Sequence, residues 1–121
     1  MILANRDKQA NAILLAEKPV VSAEPAVKFR EPIAFGSVQS SRAVATADFN
    51  GDGNVDWVIG NIGSSNTVYF GDGKGGVAKE IAVGIAEGLT FCIAVADMNR
   101  DGFSDIVAGN QRQPNLSLIH I

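Results

Sequence analysis

The chain has 121 residues, 46% of them hydrophobic, with a mean hydropathy of +0.13, the profile of one foldable domain rather than a disordered tail. No apolar run approaches the ~20 residues that span a bilayer, and no basic region precedes an apolar stretch at the N-terminus, so neither a membrane span nor a signal peptide is expected. The formal charge of −3 is local: six of the 13 acidic residues fall in two short phrases while basic residues are scattered singly, which points to cation binding and away from nucleic acid.

In chain order, "ILANRDKQANAILL" from Ile2 reads as strand, Asn, turn, Asn, strand. Residues 16–35, with Pro19, Pro25 and Pro32, form the longest irregular stretch and read as an inserted loop plus an outer strand. Short apolar or β-branched segments follow at roughly 42–47, 57–60, 67–70 and 79–84, separated by Gly, Asn, Asp and Ser clusters. None holds a 3.6-residue period long enough for a helix. "FCIAVA" from Phe91 opens another such segment, and its Cys92, the only cysteine, is expected to be a buried structural thiol.

These segments repeat. "RAVATADFNGDGNVDWVIGN" from Arg42 aligns with "FCIAVADMNRDGFSDIVAGN" from Phe91, 49 residues on, and the pair Asn61 and Asn66 has the same spacing as Asn110 and Asn115. The opening segment is a third, partial copy with one extra turn residue, so the chain is expected to begin just after an Asp-rich loop and to stop partway through a later repeat. Each repeat reads as about four strands, and near-continuous apolar runs imply sheets covered on both faces. The fold class expected is therefore all-β, an incomplete β-propeller of four-stranded antiparallel blades. Its divisions are 1–35, the latter part of one blade with the Pro-rich loop; 36–84, a complete repeat; 85–115, the first part of the next; and 116–121. The last six residues, "LSLIHI", resemble a translated sequencing-adapter end, although their alternation also suits a strand.

The chemistry lies in the two Asp-rich phrases, which are expected to join the first two strands of a blade. In the first, Asp48, Asn50, Asp52 and Asp56 offer side-chain oxygens and Asn54 a backbone carbonyl; in the second the same places fall to Asp97, Asn99, Asp101, Asp105 and the Phe103 carbonyl. Alternate oxygen donors around a glycine turn, Gly53 or Gly102, suit a hard cation taking six to eight oxygens. Two structural Ca²⁺ sites are expected. An EF-hand is excluded, because its bidentate Glu at position 12 is replaced by Ile59 and Ala108.

The order "FG", "ADFNGDGNVDWVIGN", "NTVYFGDGKGG" resembles the FG-GAP repeat of integrin-like β-propellers and, more closely, its bacterial VCBS-type relatives, over approximately residues 2–115. It departs from the pattern in "IGN" and "AGN" where GAP is expected, and in "VG" at 83–84. The resemblance implies a calcium-binding propeller segment serving as a binding or adhesion scaffold, with the other blades of the parent propeller as partners and a protein or carbohydrate as ligand. The alternatives are the propeller part of a secreted carbohydrate-active enzyme, or a lectin-like sugar-binding propeller. Glu80 and Glu87 lack an acid/base partner, and Trp57 and Tyr69 read as packing residues that do not recur at the repeat period. "GDGKGG" from Gly71 reads as a turn between strands rather than a dinucleotide loop, and nothing rests on His120. No catalytic residue or organic cofactor is assigned. The weak calcium affinity typical of extracellular modules favours an extracellular, periplasmic or cell-surface location.

Overall fold

The computed structural model describes residues 1–5, 9–17 and 29–118, and among them it contains strands and no helix. The strands are β1 (Ile2–Leu3), β2 (Gln9–Ile13), β3 (Ile33–Ala47), β4 (Asp56–Ile62), β5 (Asn66–Gly71), β6 (Val77–Val83), β7 (Thr90–Ala96), β8 (Asp105–Asn110) and β9 (Leu116–Leu118). All neighbours pair antiparallel, in the orders β1-β2-β3-β4-β5-β6 and β7-β8-β9. The expected strands at 42–47, 57–60, 67–70 and 79–84 are present as the end of β3, β4, β5 and β6.

β3 is far longer than its apolar stretch because its two halves serve different partners: residues 33–39 pair with β2 and residues 40–47 with β4. Within it Gly36 takes φ +69 and closes against the Tyr69 hydroxyl, so that a Cβ there would strike the ring. Of the irregular stretch 16–35, Ala16 bridges Phe29 and the chain enters β3 at Ile33; residues 18–28, with Pro19 and Pro25, lie outside the described residues.

The internal repeat is visible in the pairing register. Ile2 opposes Ile13 as Val58 opposes Val68, Leu3 opposes Ala12 as Ile59 opposes Thr67, and Ile13 opposes Ile33 as Val68 opposes Ile81. β7 and β8 repeat the inner half of β3 with β4: Ala96 opposes Asp105 as Ala47 opposes Asp56, with a register shift between Thr90 and Cys92 matching that between Ser41 and Ala43. A hydrogen-bonded asparagine pair recurs in all three copies. The backbone N–H of Asn5, Asn61 and Asn110 donates to the side-chain oxygen of Asn11, Asn66 and Asn115, at 2.9, 3.1 and 2.9 Å. The amide of the first Asn donates in turn to Ala10, Ser65 and Pro114 carbonyls, closing each turn. Asn5 and Asn11 stand one residue further apart in sequence than the other two pairs, yet β1 and β2 pair in the same register as β4 and β5.

Two apolar clusters lie on opposite faces of the β3–β6 sheet. On one face Ile13, Phe35, Trp57, Ile59 and Tyr69 are buried, with Phe35 edge-on to Trp57 at 5.3 Å and to Tyr69 at 4.9 Å. On the other, Phe49, Val58, Val68 and Ile106 are buried with Ile93 and Val95 packed against them. β4 alternates between the two clusters, so six of its seven residues are buried. Covering both faces in this way, at about 25 cal/mol per Å² of apolar surface, is the main driving force for stacking the sheets. Trp57 and Tyr69 are thus packing residues, at 4% and 3% exposure. Burial, together with the nearby Glu80 carboxylate, raises the Tyr69 phenol above its ordinary range.

Cys92 is a correction. It is exposed, not buried, because it lies on the face of β7 turned away from the second cluster, where Ile93 and Val95 point inward. Its sulfur rests over Gly109, filling the space a side chain would take there. Leu116–Leu118 pair with β8 as β9, and His120 lies outside the described residues.

Candidate functional site

Both Asp-rich phrases form the connection between the first two strands of a pair, β3 to β4 and β7 to β8. The first residue of each loop draws it into a curl by accepting backbone N–H groups. Asp48 Oδ1 accepts from Gly51 at 2.7 Å and Asp52 at 3.1 Å, and its Oδ2 from Gly53 at 2.9 Å. Asp97 accepts in the same way from Asp101 and Gly102, at 3.1 and 2.9 Å. At the next predicted ligand places, Asn50 donates to Asp52 Oδ2 at 2.9 Å and Asn99 to Asp101 Oδ2 at 2.8 Å. The N–H of Asn54 and of Phe103 donates to Oδ1 of those aspartates, at 2.7 and 2.9 Å.

The two curls need the same backbone at their third turn residue, and the residues there differ. Gly51 takes φ +74 and its counterpart Arg100 takes φ +61, so the second loop holds an arginine in the left-handed region. Phe103, at the place of Asn54, lies against Gly51, which brings the second loop alongside the first.

The last predicted ligand of each loop sits differently from the rest. Asp56 and Asp105 are buried, at 0% and 1% exposure. Asp56 Oδ2 accepts the Phe49 N–H at 2.8 Å and Oδ1 the Gly71 N–H at 2.9 Å, latching the loop to the end of β5; Asp105 Oδ2 accepts the Met98 N–H at 2.7 Å. Sequence reasoning assigned these aspartates to a cation and missed this second role. It also missed the buried hydroxyls of Ser41 and Thr90, which donate to Asn61 and Asn110 at 3.0 and 2.8 Å. A hydroxyl at the same place in both aligned copies was the available signal.

The Asn54 N–H, followed by the Asn50 amide, holds Asp52 below the ordinary carboxylate value. Among the described residues no three acidic, histidine or cysteine side chains gather into a metal-holding group. The donor chemistry nevertheless fits a hard cation: every candidate ligand is an oxygen, the loops are already curled, and each carboxylate oxygen that accepts one N–H keeps a second lone pair. The residues that would hold calcium are Asp48, Asn50, Asp52, Asn54 and Asp56 in one loop and Asp97, Asn99, Asp101, Phe103 and Asp105 in the other.

The "GDGKGG" stretch is the expected turn between strands, here β5 and β6. Asp72 Oδ1 accepts the N–H of Gly76 at 2.9 Å and of Lys74 at 2.7 Å, and these bonds, Gly76 first, hold its pKa below the ordinary carboxylate value.

Comparison with known families matches residues 48–108 to the FG-GAP-like repeat, a span that runs from Asp48 of the first loop into β8. No curated protein and no solved structure matches the chain.

Proposed function

The chain belongs to the FG-GAP-like repeat family, and on that premise we propose that it is a calcium-stabilised segment of a β-propeller that serves as a binding or adhesion scaffold outside the cytoplasm. The observation that carries this reading is the duplicated loop: Asp48 and Asp97 organise the same hydrogen-bonded curl 49 residues apart, in the same place between paired strands. Two carboxylates and an asparagine at each loop surface supply oxygen donors that nothing in the packing of the sheets requires.

The metal's role is structural. Calcium neutralises the aspartates and fastens the connection between two strands whose other end is closed by an asparagine pair. Ligand binding would then belong to loops around the propeller, and the remaining blades would be the immediate partners. A sugar-stacking role has little support, because Trp57 and Tyr69 are committed to the core. The test is thermal unfolding with and without calcium. Stabilisation follows RT ln(1 + [Ca]/Kd), so at the ~10⁻⁴–10⁻³ M affinities of extracellular modules the melting temperature should rise through the low-millimolar range. The same melting temperature in excess EDTA and in 10 mM calcium, a concentration about ten times the weaker of those affinities, would contradict the reading.

A further inference from the structure

Asn50 is the one asparagine of the chain that is followed by glycine. In that pair the backbone nitrogen of Gly51 is the least hindered nucleophile an asparagine side chain can meet, because no Cβ stands beside it. Both residues are exposed, at the surface of the first loop. Elsewhere the setting is closed: Asn11, Asn61 and Asn66 are buried, at 2%, 1% and 3% exposure, and precede Ala12, Ile62 and Thr67.

The second loop supplies an internal control. Asn99 occupies the place of Asn50 and is exposed too. Its amide donates to Asp101 Oδ2 at 2.8 Å and its oxygen accepts the Asp101 N–H at 3.1 Å, where Asn50 makes the same two bonds to Asp52 at 2.9 and 3.1 Å. Gly51 and Arg100 share the left-handed backbone, with φ +74 and +61. What differs beside the reacting nitrogen is the arginine side chain. The first loop also restrains its own pair. The Gly51 N–H is held by Asp48 Oδ1 at 2.7 Å, and the Asn50 side chain is held by Asp52. These bonds must release before the nitrogen can turn from a carboxylate to the Asn50 Cγ, so the curl slows the reaction without hiding the pair from water.

We propose that Asn50 is a site of spontaneous deamidation, a modification that dismantles the first loop and spares the second. The Gly51 nitrogen forms a bond to Asn50 Cγ, its proton passes through water to Nδ2, and the Cγ–Nδ2 bond breaks with release of ammonia. Water then opens the cyclic imide at either carbonyl and leaves aspartate or isoaspartate at position 50. Aspartate sets a carboxylate against Asp52 Oδ2 where an N–H stood. Isoaspartate adds a methylene to the main chain ahead of Gly51, which carries the N–H groups of Gly51, Asp52 and Gly53 out of step with Asp48. The inference goes beyond the calcium reading and does not depend on a metal.

The full chain is incubated in mildly alkaline buffer with EDTA, digested, and mapped by mass spectrometry. Pairs such as Asp52 and Gly53 cyclise without a change of mass, so the mass gain of amide-to-acid conversion reports asparagine alone. Conversion is expected at Asn50 with Asn99 intact, and at both in Arg100→Gly. The charge-assisted bond on the Gly51 N–H is worth about ten- to hundredfold in rate. Asp48→Ala, and the wild-type chain unfolded in guanidinium, should each convert Asn50 faster by about that factor. Asn50 intact after the unfolded chain has converted, or Asn99 converting as fast as Asn50, overturns the inference. So does Asn99 resisting conversion in Arg100→Gly, or an Asp48→Ala rate equal to that of the wild type.

Discussion

Asn61→Ala and Asn110→Ala remove the same residue from two copies of one motif, and the structure makes them unequal. Asn61 is 1% exposed. Its loss deletes the bonds from its amide to the Ser65 carbonyl and from the Ser41 hydroxyl to its own oxygen, at 2.8 and 3.0 Å. Each is worth about 1 kcal/mol, and the Ser41 hydroxyl, 0% exposed, is left unpaired at a further cost of roughly 1–2 kcal/mol. The total expected is about 3–4 kcal/mol. Asn110 makes the matching bonds to Pro114 and Thr90, and the Thr90 hydroxyl, 1% exposed, is orphaned in the same way, but Asn110 itself is partly exposed, so water can replace the Pro114 bond and about 2–3 kcal/mol is expected. Urea unfolding of the two variants should therefore differ by about 1 kcal/mol. Adding Ser41→Ala to Asn61→Ala should recover part of the loss, because removing both partners leaves no orphaned group. Equal destabilisation by the two asparagine variants, or a double variant worse than the sum of the singles, would refute the burial argument.

Two further outcomes follow from the loops. Arg100→Gly should raise stability by roughly 0.5–1 kcal/mol, the left-handed penalty of a side chain less the extra chain entropy of glycine; an unchanged or lower urea midpoint would show that the arginine is not strained. Asp72 has its folded value lowered by backbone N–H groups, so its contribution is present above the unfolded value of ~3.9 and is lost as pH falls through the folded one. Carbon-13 titration of its carboxyl should give a midpoint below the unperturbed Asp value of ~3.9, and a midpoint at or above it would contradict the turn geometry.

Much of the fold was legible because the repeat was written in polar punctuation rather than in strand composition. The asparagine spacing aligned three copies, and the same asparagines close three turns. The strands at 57–60 and 67–70 stood out because their residues are apolar on both faces, which only a doubly covered sheet requires. The early start of β3 was not legible: "IAFGSVQSS" has no clean alternation, and its strand character comes from β2, a partner far away in sequence. Cys92 failed for a related reason. An apolar neighbourhood in sequence says nothing about which face of a strand each residue takes, and here Ile93 and Val95 take the covered one. At the candidate site the loop curl was readable from Asp and Gly spacing. The latch role of Asp56 was not, because its partner Gly71 lies across the sheet at the end of another strand.

That latch also decides which substitution isolates calcium. Asp56→Ala would break two buried hydrogen bonds and unsettle the fold with or without metal, whereas Asp52 and Asp101 lie at the loop surface. Isothermal titration of calcium into the chain is the most direct measurement. About two sites are expected in the ~10⁻⁴–10⁻³ M range, with Asp52→Ala removing one, Asp101→Ala removing the other, and the double variant silent. A titration with no binding heat, or one that neither substitution changes, would contradict the calcium-loop account.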